Sequence, residues 1–302
     1  MSRRGWTLLL VLGVVWGVPY LFIKVAVAQV SPATVVFART AIGALLLLPF
    51  ALRAGGLRPL RGHWGAVVAF AVLEIVGPWF FLSNAERTLS SSSTGLLVST
   101  VPIAAVVVGR LVDRRPVAPL RWLGLIVALG GVAVLLGPGA AVDDPWAVVQ
   151  VLLAALGYAI APIVAERRLR DVPVMALNTA VLGLAALGYL PVVVATGWPT
   201  GLRPTGAASL LTLGVVCTAL AFTLFFRLIA EVGGARSTLV AYLNPLVAVG
   251  LGAAVLGEPL TWGLLAATVL ILAGSAAAAR RTPAAGRAAD ERTPQEAPAA
   301  AG

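Results

Sequence analysis

Cysteine and histidine each occur once in this chain, and aspartate and glutamate together only 12 times in 302 residues. The lone Cys217 excludes an internal disulfide and a thiolate metal cluster, and it reads as a small packing residue. His63 stands alone in a basic connection and reads as solvated, so there is no paired-histidine zinc motif. A phosphate-cradling glycine loop ending in lysine and hydroxyl is missing, as is a serine elbow. Asp143 and Asp144 have no further acidic partners nearby, so neither a metal nor a cofactor is expected. Charged residues make up 11%, against about a quarter in soluble domains. No stretch reads as a soluble nucleotide-hydrolysing domain, so an ATP-driven pump is not expected, nor any enzymatic activity.

Apolar residues fill the space, at 60% of the chain. Runs of about 18 or more recur along its length, each able to cross a hydrocarbon core of ~30 Å. The solvent for such a surface is lipid. A net charge of +10 would suggest nucleic acid in a soluble protein, but here the basic residues sit in short connections between apolar runs. They mark topology, and no nucleic-acid partner is expected.

The spans fall at roughly 6–28, 33–52, 64–84, 88–112, 119–137, 145–165, 173–195, 206–229, 234–256 and 260–279. Arg3 and Arg4, an apolar run and the triplet Ala26-Val27-Ala28 imitate a signal peptide. The run is too long for one, and Lys24 precedes the triplet, so it reads as a retained first span. With the N-terminus in the cytoplasm, all of the 22 basic residues except Lys24, Arg39, Arg87 and Arg203 fall on the inner side. Both termini are then cytoplasmic, the span count is even, and the expected location is the cell's inner membrane. Residues 282–302, rich in alanine, proline and charge, read as a disordered cytoplasmic tail.

An internal repeat organises the spans. Moving Ser99-Thr100-Val101-Pro102 onto Tyr242-Leu243-Asn244-Pro245 is a shift of 143 residues, and the same shift carries Arg115-Pro116 onto Glu258-Pro259 and Gly131 onto Gly274. A shift of 142 carries Trp16-Gly17 onto Tyr158-Ala159. The expected units are a first five-helix repeat over 1–140 and a second over 141–281. An odd number of spans per half inverts one half against the other, the arrangement of many secondary transporters, with a site between the halves near the midplane.

Ionisable side chains inside spans are costly and face a partner or a cavity. Lys24 lies near the outer end of span one, within snorkelling distance of the interface. Arg39 sits roughly 9 Å into span two and Glu74 near the middle of span three, on a rise of 1.5 Å per residue. They are expected to face each other, directly or through water. Such a pair serves either as a structural ion pair or as a coupling site in which Glu74 binds a cationic group or a proton. Trp16, Tyr20, Trp79, Tyr158 and Tyr242 lie well inside spans, and their N–H and O–H groups suit either a wet cavity or ordinary aromatic packing. Trp16 and Tyr20 share a helix face by spacing. Pro102 and Pro245 break helices from within and free carbonyls one turn earlier. Asn244 is the only amide in span nine and is expected to face the cavity. Ser90 to Thr94 with Gly95, like Gly233-Gly234-Ala235, reads as close helix packing first and cavity lining second.

Trp16-Gly17 followed by Lys24, Pro32 through Arg39, Gly95-Leu96-Leu97 with Pro102, Asn244-Pro245 and Leu256-Gly257-Glu258-Pro259 together resemble the EamA-type transporters of the drug/metabolite transporter superfamily. The resemblance covers about residues 6 to 279. It implies an all-α fold of ten transmembrane helices in two inverted five-helix repeats, moving a metabolite by alternating access. The first half departs from it, reading Asp113-Arg114-Arg115-Pro116 where the signature glutamate is expected. The expected function is secondary transport of a small organic solute (an amino acid, metabolite or drug-like compound), with export favoured. The alternatives are a non-transporting membrane partner and a membrane-embedded lipid-modifying enzyme. The expected partners are the small-molecule substrate and the lipid bilayer. Proton coupling and oligomeric state are left open, since each chain can hold a complete pair of halves.

Overall fold

The computed structural model describes residues 2–113, 117–136, 144–233, 237 and 239–279. The proposed tail at 282–302, Asp143, Gly234-Ala235 and the Arg114–Pro116 segment lie outside these residues. The described residues are mostly helical, joined by short turns, with no strand among them. Eight helices are long and apolar enough to cross a membrane: α1 (Arg3–Val27), α2 (Pro32–Arg53), α3 (Trp64–Ala85), α4 (Ser91–Val112), α6 (Pro145–Arg168), α7 (Val174–Thr196), α8 (Pro204–Val232) and α10 (Trp262–Ala279). Two shorter apolar helices, α5 (Pro119–Leu135) and α9 (Val240–Leu256), complete the set. The protein is a polytopic membrane protein of about ten helices.

Short polar caps start the helices where the apolar runs begin. Ser2, Ser31 and Ser90 accept from the backbone N–H of Gly5, Thr34 and Ser93, and Asp144 accepts from Trp146 and Ala147. Each satisfies a first-turn donor that has no partner within its helix. Pro32 and Pro145 follow at the first helical position, where a missing N–H costs nothing. Large apolar side chains such as Leu45, Val194, Val269 and Trp262 point outward, with Trp262 86% exposed. In water that surface would drive aggregation; in lipid it is the solvated face.

The helices partner in a recurring order. α5 lies along α10, α2 along α7, and α4 against α9. α3 packs on α6 while α8 packs on α1, and α4 meets α6 while α9 meets α1. Exchanging each helix for the one five places along the chain maps these main partnerships onto one another, whereas the α4–α10, α2–α3 and α1–α4 contacts have no counterpart of similar extent. Glycines permit the closest crossings. A Cβ on Gly274 would fall 2.5 Å from both Ala128 N and Gly124 O, and one on Gly131 would fall 2.8 Å from Ile271 Cγ1. The repeat-related pair Gly131 and Gly274 thus lie in the same α5–α10 crossing.

Helix irregularities recur as well. A π-helical turn spans Val72–Val76 in α3, and another spans Val215–Leu220 in α8; Val72 and Val215 are again 143 residues apart. In α3 the cause is Pro78, which cannot donate to the Glu74 carbonyl. Carbonyls around that turn find other company. Tyr189 Oη donates to Val76 O at 2.9 Å, and Gly157 lets α6 close on Leu73 O. In α8 the Thr218 hydroxyl donates to Leu213 O at 2.8 Å. α4 breaks at Ser99–Thr100, ahead of Pro102. Ile103 N turns to Thr100 O at 2.9 Å, and the Ser99 carbonyl so released accepts from Ser275 Oγ of α10 at 2.7 Å. Backbone groups within the bilayer are thereby kept paired. Pro245 is buried inside α9, which continues through it.

Candidate functional site

Arg39 is the centre of the buried polar network. Its helix enters at Pro32, and two turns later the side chain is only 7% exposed. Nε donates to Thr218 Oγ1 at 2.9 Å, and the guanidinium carbon lies 3.6 Å from the centre of the Trp79 ring. The expected direct pairing of Arg39 with Glu74 is not found. Among the described residues no carboxylate lies within ion-pair distance of Arg39, and the ion pair the structure shows is the exposed Arg170–Glu166 contact at 3.8 Å. The physical reason is the π-turn at 72–76, which alters the register of α3 around Glu74 while Trp79, one turn on, takes the place beside Arg39. Glu74 is half-buried instead, within electrostatic reach of Tyr158.

Four sequence-derived residues do come together. Tyr158 of α6 lies within electrostatic reach of Tyr20 and Arg39 and beside the Trp79 side chain. Tyr20 of α1 is buried and close to Gly95 of α4, where a Cβ would stand 3.2 Å from its ring. The site so formed draws on α1, α2, α3, α6 and α8, with Thr218 the contribution of α8.

Others lie apart. Trp16 packs against Phe225 and Phe222 of α8, with ring centres 4.8 and 6.4 Å away. Trp16 and Tyr20 of α1 meet different neighbours, Trp16 the phenylalanines of α8 and Tyr20 the Gly95 position of α4. Asn244 bridges two helices. In the amide orientation that satisfies its surroundings, its nitrogen donates to Val240 O at 3.0 Å and to Gly13 O of α1 at 3.2 Å, tying α9 to α1. Tyr242 is half-buried on α9, and its backbone N–H donates to Leu239 O at 3.2 Å. Pro102 is half-buried beside the α4 break. A cavity of about 420 Å³ lies at the end bearing Gln29, Ser31, Arg87 and Thr196, and a smaller apolar one of about 230 Å³ opens between α2 and α7. Neither is lined by the central residues.

At that same end, bonds reach from several helices onto the α3–α4 connection and the first turn of α4. Lys24 Nζ donates to Glu86 O and Leu89 O, both at 2.7 Å. Thr88 Oγ1 donates to Asp144 Oδ2 at 3.0 Å. Glu258 accepts from Ser91 N at 2.7 Å, from Ser92 N at 3.0 Å and from the Ser92 hydroxyl. Gly257, at φ 67°, sets the turn that aims Glu258, and Gly252 leaves room beside the contact. The Leu-Gly-Glu signature therefore places a carboxylate on the positive end of α4, where it satisfies first-turn donors. Lys24 is not merely snorkelling; it ties down carbonyls.

Glu86 went unrecognised in the sequence because it sits between Asn84 and Arg87 in what reads as an exposed connection. It is fully buried, and both carboxyl oxygens lack a partner. Burial pushes its carboxyl well above the usual range; Lys24 and Arg39 oppose the rise, while Glu258 adds to it. Tyr20 is the other group within reach. Folding thus favours the protonated form, and the sign follows from linkage. The stabilisation is complete below the ordinary carboxylate range and is lost as pH rises through the raised value. Thermal unfolding of the purified protein in detergent should show stability falling toward alkaline pH, and Glu86→Gln should flatten that fall. Parallel pH profiles for the two proteins would exclude Glu86 as its source.

The fold and its buried polar centre define a multi-pass membrane protein built to hold polar groups inside lipid. The chain belongs to the EamA-like transporter family, whose model matches residues 3–137 and again residues 145–279. It is 27% identical over 255 residues to the uncharacterized inner membrane transporter YedA of Escherichia coli (strain K12), covering 84% of this chain and 83% of that one. It is similar also to two uncharacterized transporters of Bacillus subtilis (strain 168). YvbV is 27% identical, with 90% of each chain covered, and YoaV is 22% identical, covering 86% of this chain and 91% of that one. A solved crystal structure shares the fold at a TM-score of 0.65 and 20% identity, over 95% of this chain and 99% of that one. The protein is a membrane transporter.

Proposed function

We propose that the protein is a secondary transporter that moves a small organic solute across the cell's inner membrane by alternating access, its two halves (1–140 and 141–281) inverted against each other and both termini cytoplasmic. The observation that carries this reading is the exchange of helix partnerships between positions five helices apart. An assembly whose main helix partnerships exchange when its halves are swapped, while a few contacts are made on one side alone, has two related conformations available, one closed at each end. The recurrence of the π-turns and the double match to the family model support the same division. In this reading the structure is closed at the end where Lys24, Asp144 and Glu258 grip the α3–α4 connection. The basic residues on the opposite connections make the gripped end the outer one. Net flux follows the solute's gradient, outward for a metabolite that accumulates inside.

Counterflow measured in vesicles of purified full-length protein tests the proposal. With the vesicles preloaded with unlabelled solute, labelled solute should exchange inward far faster than in protein-free vesicles for at least one member of a panel of organic acids, amines and neutral metabolites. Absence of exchange across the panel would favour a non-transporting partner role instead.

A further inference from the structure

We propose that Arg39 is the anchor for a carboxylate on the transported solute, held on the Trp79 face and aimed by Thr218. This rests on the transporter reading for calling the ligand cargo, whereas the binding itself is tested separately.

An arginine carries five N–H donors in a rigid fork. Only Nε is used here, on Thr218 Oγ1. The terminal nitrogens make no hydrogen bond to described residues, and they are not among the buried atoms sealed away without a partner. They therefore retain a small exposed area in a side chain that is only 7% exposed overall. A guanidinium buried in a membrane protein without a counter-ion is costly, and such charges are normally paired. The protein supplies no carboxylate at ion-pair distance among the described residues.

The side chain is nonetheless held rigidly. Thr218 is itself fixed by its bond to Leu213 O at 2.8 Å, made at the π-turn of α8. Trp79 lies flat beneath the guanidinium carbon. With Nε committed to Thr218, the end-on edge formed by the two terminal nitrogens remains, and that preorganised edge fits a planar anion bidentately. The surrounding charge argues for a monoanion over a phosphate. Lys24 spends its described hydrogen bonds on two carbonyls, and Glu86 and Glu74 lie in the same region of the bundle. Arg39 makes no ion pair among the described residues, and its single charge matches one carboxylate.

The test uses the purified full-length protein in detergent with small carboxylates, each paired with its methyl ester and its amide. Binding is read as a saturable rise in melting temperature and a change in tryptophan fluorescence. At least one acid should give both signals while its ester and amide do not. Arg39→Gln should abolish the saturable response. Arg39→Lys should weaken it by about tenfold or more, because an ammonium keeps the charge but loses the fork and the stacking. Should Arg39→Gln fail to fold, Thr218→Val keeps the guanidinium and removes only the hydroxyl that aims it; affinity should then fall several-fold. Acid and ester binding alike, full affinity in the Arg39 variants, or no carboxylate bound across the panel would overturn the assignment. Counterflow of an amine or neutral solute, with no carboxylate bound, would overturn it while leaving the transporter reading intact.

Discussion

Replacing Glu258 by alanine should release the first turn of α4 and loosen the α3–α4 connection ahead of it. Glu258 accepts from two backbone N–H groups and one hydroxyl, all in one turn of a helix belonging to the other half of the chain. Its removal leaves those donors without a partner in a place where Ser91, Ser92 and Ser93 are all buried. Hydrogen bonds to a charged acceptor contribute about 1.5–3 kcal/mol net, and a lost helix cap alone costs about 1 kcal/mol. A total near 2–3 kcal/mol corresponds to a change in the opening equilibrium of roughly 30- to 150-fold. Amide hydrogen exchange over residues 88–94 should accelerate by that factor in Glu258→Ala, with exchange in α5 and α10 unchanged. Glu258→Gln should fall between, since a carboxamide oxygen still accepts but carries no charge. Unaltered exchange at 88–94 would mean that Lys24 and Asp144 hold this connection without Glu258.

This contact shows how far the sequence could be read and where it stopped. Leu256-Gly257-Glu258 was legible as a signature, and the structure supplies its physical content: a left-handed glycine followed by a carboxylate aimed at a helix start. Its target was not legible, because Ser91 lies 167 positions away and nothing local marks a buried first turn. The helices themselves followed from apolar run length, which needs no tertiary information. The shared shift of 143 residues likewise found Gly131 and Gly274, and it passes through both π-turns, though no pattern in the sequence announces a π-turn. The site was legible by type but not by pairing. Arg39, Trp79, Tyr20 and Tyr158 stood out as polar or aromatic groups inside spans, and they do meet. Depth alone set Arg39 against Glu74. Depth carries no azimuth, and a single extra residue in a helical turn changes which side chain faces the neighbour. Thr218 escaped notice because one hydroxyl in an apolar run ordinarily bonds its own helix. Glu86 escaped because the chain around it is polar, and only packing reveals that the connection is buried.

The second large effect lies far from the site, at the α5–α10 crossing, where Gly274→Leu should prevent the two helices from docking. In lipid there is no hydrophobic force to hold helices together, and close contact between backbones takes its place. Gly274 faces the backbone of α5, with the position of a Cβ 2.5 Å from Gly124 O and Ala128 N. Gly124 faces α10 in return, with its Cβ position 2.6 Å from Gly274 O and Ala278 N. The obstacles are main-chain atoms on both sides, so no rotamer change can make room. Extra bulk in a packed interior typically costs about 1–3 kcal/mol even where side chains can yield; here the helices must separate, and the contact along the crossing goes with them. Gly274→Ala should already lower the melting temperature in detergent, and Gly274→Leu should leave little monodisperse protein on size exclusion. Gly130→Leu provides the contrast, because nothing lies within 4 Å of a Cβ built there, and it should behave as wild type. Equal tolerance of leucine at 130 and 274 would show that the crossing is held by something other than its glycines. It would also remove the structural reason for the recurrence of glycine at this place in both halves.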